Sequence, residues 1–401
     1  MPVMSAHHAL NPEESCCMEN SRQTARAMFL LAGLSLALSA AAQNAIDDPL
    51  LIRVTQGQSA EAARLSGAAA HSEPVKRLST DPSVSLSRTG GRGLDPVIRG
   101  QSEGRLDVLL DGMRVEGACP SRMDPPTSRL STSLAPVLEV RTGNRTLRWG
   151  PIAGGQIVAT TAAPLFTADN LTTGHLKFGG SDNGAGKLVN GSVAVGSKDA
   201  YLRMGASYDE ADDYEDGDGR EVRSAYENAE GRVDTAWTAD SGLFIKAMAS
   251  RQEERDVKFP GRGMDAPLTD TDLYRFETGA PVADGGWNLM TWQADVDHVM
   301  DNFSLREPPV KMGMPMKRLT ASQTRTRGVR LTLDQRAGNR SDWAIGVDYE
   351  TNDWDAAPQE CSSGPCRFLY VAGSGAGSNR CVFRAVHPHS SRFSVGWRSA
   401  I

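Results

Sequence analysis

Long apolar runs are nearly absent from this sequence. Only "AMFLLAGLSLALSAAA", Ala27–Ala42, stands out in 401 residues, and the mean hydropathy is -0.38, which excludes an ordinary bundle of membrane helices. Membrane residence by strands is not excluded, because a barrel alternates polar and apolar residues and averages out as polar. Cysteine is scarce too. Of six, Cys16 and Cys17 lie in the leader and Cys361, Cys366 and Cys381 near the end, so Cys119 belongs to no dense disulfide framework. A basic excess is missing: 43 Lys and Arg stand against 49 Asp and Glu, for a net charge of -6. No nucleic-acid footprint results. The stretches "GRG", "GGRG" and "GPIAGG" complete no phosphate loop, and no nucleophile elbow, zinc-protease helix or supported Ser/His/Asp set is found. No enzymatic chemistry is expected.

What is there begins with export. Arg22 and Arg26 precede the apolar run, and Ala40–Ala42 supply small residues before Gln43. That order of charge, short apolar core and small residues reads as a secretory signal, with a membrane anchor or buried helix as the competing reading. Met18 is a more ordinary start than Met1. The chain divides into five stretches: 1–42, leader and signal; 43–82, a flexible segment rich in Ala, Ser, Gln and Glu; 83–168, a compact glycine-punctuated unit; 169–358, long strands; and 359–401, an atypical tail. The tail from Cys361 has no acidic residue and three cysteines, and reads as a frameshifted or truncated end; a genuine terminus with a Cys361–Cys366 disulfide is the other reading.

Short strands joined by turns are expected in the compact unit, at "PVIRG" (Pro96–Gly100) and "RLDVLLDGMRV" (Arg105–Val115), the latter with an Asp-Gly turn. From about Gly174, about eight or nine segments up to Ala356 alternate with period two. In "VRLTLD", Val329, Leu331 and Leu333 alternate with Arg330, Thr332 and Asp334; in "AYLRMGASY", Leu202, Met204, Ala206 and Tyr208 share one face. A soluble β-sandwich would show the same period. Charges on the polar faces, the long acidic loop Asp209–Glu221 and the export signal favour an outer-membrane barrel.

One short stretch bears on chemistry. "GACPSRMDPP", Gly117–Pro126, sets Cys119 four residues before Met123. A buried turn is one reading, since free cysteines behave as small hydrophobes; a soft-metal site is the other, since thiolate and thioether sulfurs select Cu(I). One helical turn starting at Pro120, or a tight loop, would bring the two sulfurs together, with Pro125 and Pro126 ending a helix.

"DPVIRGQSEGRLDVLLDGMRVEGACPSRMDPPTS", Asp95–Ser128, resembles the plug domain of TonB-dependent outer-membrane receptors, and "GACPSRMDPPTS" resembles the copper receptors among them. "VDHVMDNFSLR", Val296–Arg306, resembles a second patch of the same receptors; the likeness runs from about Val84 to Ala356. It implies an all-β membrane protein with an α/β plug inside a 22-stranded barrel, of which this chain carries an incomplete part. It also implies outer-membrane location, contact with outer-membrane lipid, and uptake energised by the TonB complex. The copper ligands it implies, for Cu(I) as the transported ion, fall on Cys119, Met123, His298 and Met300. Met312, Met314 and Met316 in "KMGMPMK", and Met264 in "PGRGMDAP", are secondary capture candidates. Only Leu50–Val54 offers a TonB box, and a weak one. A siderophore or other metal-complex receptor, and a secreted β-rich metal-binding or adhesion module, are the competing functions. One expectation runs against the copper set. Trp292, Ala294 and Val296 form the apolar face of their strand, so strict alternation puts His298 toward lipid unless a bulge turns it inward.

Overall fold

The computed structural model describes residues 73–361, apart from 135, 144–147, 151, 168–169 and 338–340, together with the strand Ser378–Val386. The export signal, the candidate TonB box at Leu50–Val54, and the Cys361–Cys366 pairing all lie outside the described side chains.

Strands β1 (Val84–Arg88) and β2 (Leu94–Ile98) form a hairpin, and β3 (Leu106–Leu110), β4 (Met113–Arg114), β5 (Val137–Arg141) and β6 (Gly155–Thr160) a small mixed sheet. Its order is β4-β3-β6-β5, with β3 and β6 parallel. The Asp-Gly signal at Asp111–Gly112 does make the β3–β4 turn, with both residues at positive φ (50° and 85°). Three short 3-10 helices, Pro74–Thr80, Glu103–Arg105 and Pro126–Arg129, complete this helix-and-strand plug. The last begins at Pro126, so that Pro125–Pro126 open a helical turn where the sequence reading has them end one.

Around the plug runs one antiparallel sheet. It takes β7 (Thr172–Gly180), β8 (Lys187–Gly196), β9 (Ala200–Ala211), β12 (Tyr226–Thr238), β13 (Phe244–Val257), β14 (Asp265–Val282), β15 (Gly285–Asp301), β18 (Lys317–Ala337), β19 (Ser341–Cys361) and β20 (Ser378–Val386) in simple succession. The small hairpins β10 (Tyr214–Glu215) with β11 (Glu221–Val222), and β16 (Val310–Lys311) with β17 (Met314–Pro315), sit in its longer loops. The sheet is open among the described residues, with β7 and β20 at its edges. No described helix is long and apolar enough to cross a membrane.

Alternation sorts the two faces of this wall. On β9, Arg203, Ser207 and Asp209 point inward and are buried, while Leu202 and Met204 are exposed on the outer face. On β18 the outer face reads Gln323, Arg325, Arg327 toward one end, then Val329, Leu331, Leu333 toward the other. An outward apolar band with a polar inner face is what a strand in lipid requires.

β15 reverses that rule over its length. Met290, Trp292, Ala294, Val296, His298 and Met300 are all 5% exposed or less. This face turns inward because the plug needs a dry surface to close its core. Met248, Leu273, Met290, Trp292 and Ala294 of the wall join Val108, Leu110, Met113 and Ile157 of the plug in one cluster. The expectation that alternation directs His298 toward lipid is therefore corrected. Its apolar neighbours face the plug, and the β15–β18 register runs unbroken from Gly285↔Gln335 to Asp301↔Leu319. The register shift that does occur lies against the neighbouring strand β14, between Asp265 and Leu268, and does not invert His298.

Candidate metal centre between plug and wall

Cys119 opens a tight turn, in which the Arg122 amide donates to the Cys119 carbonyl (3.0 Å) and Pro120 takes the second position. Proline's fixed φ suits that place. This turn, rather than a helical one, brings Met123 back beside Cys119. Both are buried, at 3% and 8% exposure, in a cluster that takes Val257, Phe259, Ala266 and Met300 from the wall and its loops. Cys119 Sγ lies 3.7 Å from Met300 Sδ. Cys119 is the free cysteine among the described residues.

His298 shares the inward face of β15 with Met300. Its Nδ1 pairs with Thr269 Oγ1 at 2.8 Å. Its Nε2 is buried with no hydrogen-bond partner. A buried imidazole nitrogen left bare is costly, and a ring nitrogen whose opposite partner fixes the tautomer is the usual form of a metal-ligating histidine. Thr269 also lines, with Met123 and Phe259, a small cavity of about 10 Å³ beside the cluster.

Three side chains hold the Cys119 turn, two from the wall and one from the plug itself. Thr324 Oγ1 on β18 donates to the Gly117 carbonyl (3.1 Å), and Trp354 Nε1 on β19 to the Ala118 carbonyl (2.8 Å). The third is the Asp124 carboxylate, which accepts from the Ala118 and Cys119 amides. Burial, with the Asp124 charge beside it, pushes the Cys119 thiol up to about 11, against the opposing amides of Met123 and Ser121. The metal-free side chain is thus a thiol at neutral pH.

Met264, partly buried, packs against the same cluster. Its loop is held by Arg306, which donates to Asp265 Oδ2 (2.8 Å) and to the carbonyls of Phe259 (2.9 Å) and Met264 (3.2 Å). Met312 and Met314 stand apart on the β16–β17 hairpin, 90% and 59% exposed, and Met316 lies just after it. Sequence reading missed the charges around the site. Arg129 pairs with Asp124 (2.9 Å) and with Glu254 of β13 (3.2 Å), and Arg92 pairs with Glu254 (2.7 Å) and Asp209 of β9 (2.8 Å). No single-residue pattern marks these, because, Arg129 and Asp124 apart, the partners lie 117 to 162 positions from each other. Asp111 of the plug reaches the wall at Arg232 (2.8 Å), whereas Arg105 bonds Gln101 within the plug.

Among the described residues no three His, Cys, Asp or Glu side chains converge as a metal site. The donor set here has one cysteine and one histidine, the rest being thioethers. Such a set suits a soft monovalent ion and offers little to zinc or magnesium.

Residues 66–155 match the family described as TonB-dependent Receptor Plug Domain. Among solved structures, the copper transporter OprC is similar at 30% identity and a TM-score of 0.65, over 72% of this chain and 44% of that one. The siderophore receptor PirA from Acinetobacter baumannii is similar in fold, at 14% identity and a TM-score of 0.55, over 73% of this chain and 47% of that one. So is the ferric yersiniabactin uptake receptor FyuA from Yersinia pestis, at 12% and 0.50, over 78% and 58%. The chain thus spans less than two thirds of each of these receptors. No curated protein matches it. The plug is a TonB-dependent receptor plug, and the fold is that of outer-membrane receptors, not of enzymes.

Proposed function

We propose that this chain binds copper as Cu(I) between plug and wall, for TonB-dependent uptake across the outer membrane, with Cys119, Met123, His298 and Met300 as the ligands. The observation that carries this reading is the meeting of two separate sequence patches at one buried point. Cys119 and Met123 come from the plug, His298 and Met300 from β15, and Cys119 Sγ and Met300 Sδ are 3.7 Å apart. The buried, unpartnered Nε2 of His298 supports it. The similarity to a copper transporter points the same way.

The chemistry follows from the donors. Two thioethers and an imidazole are neutral, and coordination expels the proton of the Cys119 thiol. A thiolate then neutralises the single charge of Cu(I), which reduces the cost of burying it. The ion arrives from the end of the wall bearing the longer loops, where His298 and Met300 lie, because outer-membrane barrels carry their long loops outside. Met264 above the cluster, and Met312, Met314 and Met316 farther out, are thioethers on that approach.

A siderophore receptor of the same fold is the second reading, and cavity size separates the two. The space beside the donors is about 10 Å³, room for about one water, where sites for organic molecules take roughly 300–1,000 Å³. Calorimetric titration of the purified full chain with Cu(I), Zn(II) and a ferric siderophore tests the choice. One-to-one binding of Cu(I) alone is expected; tighter binding of the ferric chelate would transfer the site to the second reading.

A further inference from the structure

The Cys119–Met123 turn has no regular secondary structure to hold it, yet a soft-metal site needs its sulfurs placed to within a fraction of an ångström. Asp124, directly after Met123, is 2% exposed. Its Oδ1 accepts from the Cys119 amide at 2.9 Å, and its Oδ2 accepts from the Ala118 amide at 2.8 Å and from Arg129 Nη2 at 2.9 Å. The carboxylate therefore bridges both ends of the turn that carries the two plug sulfurs. Gly117 makes this approach feasible, since a Cβ there would stand 2.4 Å from the Asp124 carbonyl oxygen and 2.8 Å from Oδ1.

From Asp124 the contacts continue into the wall. Arg129 passes from Asp124 to Glu254 on β13, Glu254 accepts from Arg92, and Arg92 reaches Asp209 on β9. Every side chain in this series is 5% exposed or less. The series alternates three carboxylates with two guanidiniums.

We propose that Asp124 is the positioning residue of the cuprous site: it fixes the Cys119–Met123 turn in its binding geometry and locks that turn, through Arg129 and Glu254, to the wall that supplies His298 and Met300. The proposal rests on the cuprous reading of the site. Asp124 touches no metal itself; it acts through Cys119, as outer partners of metal ligands do.

The test uses the full chain folded in detergent, with Cu(I) competed against a chromophoric chelator, and copper K-edge absorption counting the sulfurs at saturation. Asp124→Asn is expected to bind Cu(I) about tenfold or more weakly and to lose sulfur neighbours at the metal, beside the lower melting temperature that loss of the buried pair with Arg129 brings. A purely structural role would lower the melting temperature alike and leave the affinity and sulfur count of the folded fraction unchanged, and that result overturns the proposal. Should Asp124→Asn fail to fold, Arg129→Gln leaves both amide bonds to Asp124 intact and removes the guanidinium that joins Asp124 and Ser128 to Glu254 on the wall. Weaker Cu(I) binding there supports the proposal, and unchanged affinity overturns it. Wild-type binding that disappears in Cys119→Ala and persists in Asp124→Asn removes Asp124 alone. Absence of Cu(I) binding in the wild type removes the cuprous reading itself.

Discussion

The thiol of Cys119, on a turn of the plug, touches the thioether of Met300, on a wall strand 181 residues later, at 3.7 Å. Packing volume alone calls for sulfur at neither place, since alanine or valine lies close to cysteine in size and leucine to methionine. Two sulfurs in contact across a plug–wall seam, with a bare buried imidazole nitrogen on the same strand face, give that seam a chemistry that a purely structural contact lacks.

Methionine-to-leucine changes separate packing from ligation. Met123→Leu and Met300→Leu conserve volume and should cost less than about 1.5 kcal/mol each in stability, while Cu(I) affinity falls in both. Urea unfolding and a copper titration on the same preparations make the comparison. Parallel losses in the two measurements would return both methionines to the core.

The Cys119 thiol should be slow to alkylate. Burial and the nearby Asp124 carboxylate raise it to about 11, so at pH 8 the metal-free chain holds a protonated, 8% exposed sulfur. Iodoacetamide should label it far more slowly than a model thiol of the ordinary pKa, about 8.5, and labelling should accelerate as pH rises toward 11. Rapid labelling at pH 7 would contradict the buried geometry.

Seating of the plug should carry an acid limit set by Asp111. Burial alone would raise its carboxyl, but the guanidiniums of Arg232 and Arg275 and the Thr161 amide more than reverse this and hold it below the usual carboxylate range. Its stabilisation is then fully present above the unfolded value of about 3.9 and lost as pH falls through the lower folded value. Asp111→Asn should weaken plug retention by about 2 kcal/mol and remove that acid-labile part, as followed by limited proteolysis of the plug from pH 7 down to pH 3. Identical acid profiles for the variant and the wild type would exclude the pair as an anchor.

Gly328 gives a steric prediction. A Cβ there would stand 2.1 Å from the Trp292 indole, and Arg330 stacks between Trp292 and Trp149, at 5.3 and 4.6 Å from the two rings. Gly328→Ala should therefore displace Trp292 from the shared core at a cost of about 1–3 kcal/mol, with a shift in tryptophan emission. Unaltered emission and stability would mean that the indole can move without loss.

How much of this was legible beforehand depends on the range of the interaction. Alternation along "VRLTLD" and "AYLRMGASY" carries the wall, because side-chain direction in a strand is a local property. The Asp-Gly turn and the Cys119–Met123 pairing are local too. The inward turn of Trp292, Ala294 and Val296 was not legible: an apolar face shows that something dry covers it, and only the fold shows whether lipid or the plug does so. The same holds for Arg92, Arg129 and Glu254, whose meaning depends on partners in separate elements. Met264 and the row at Met312, Met314 and Met316 looked alike in sequence. The fold packs the first against the cluster and leaves Met312 and Met314 exposed.

The central claim is a soft-metal site built from both patches, and a competition titration tests it most directly. The purified full chain is titrated with Cu(I) against a chromophoric chelator, beside a Cys119→Ala, Met123→Ala double variant of matching circular dichroism. Tight one-to-one binding in the wild type, lost in the variant, is the predicted result. Equal binding in the two proteins, or negligible binding in both, would contradict it and leave Cys119 a buried turn residue in a receptor plug.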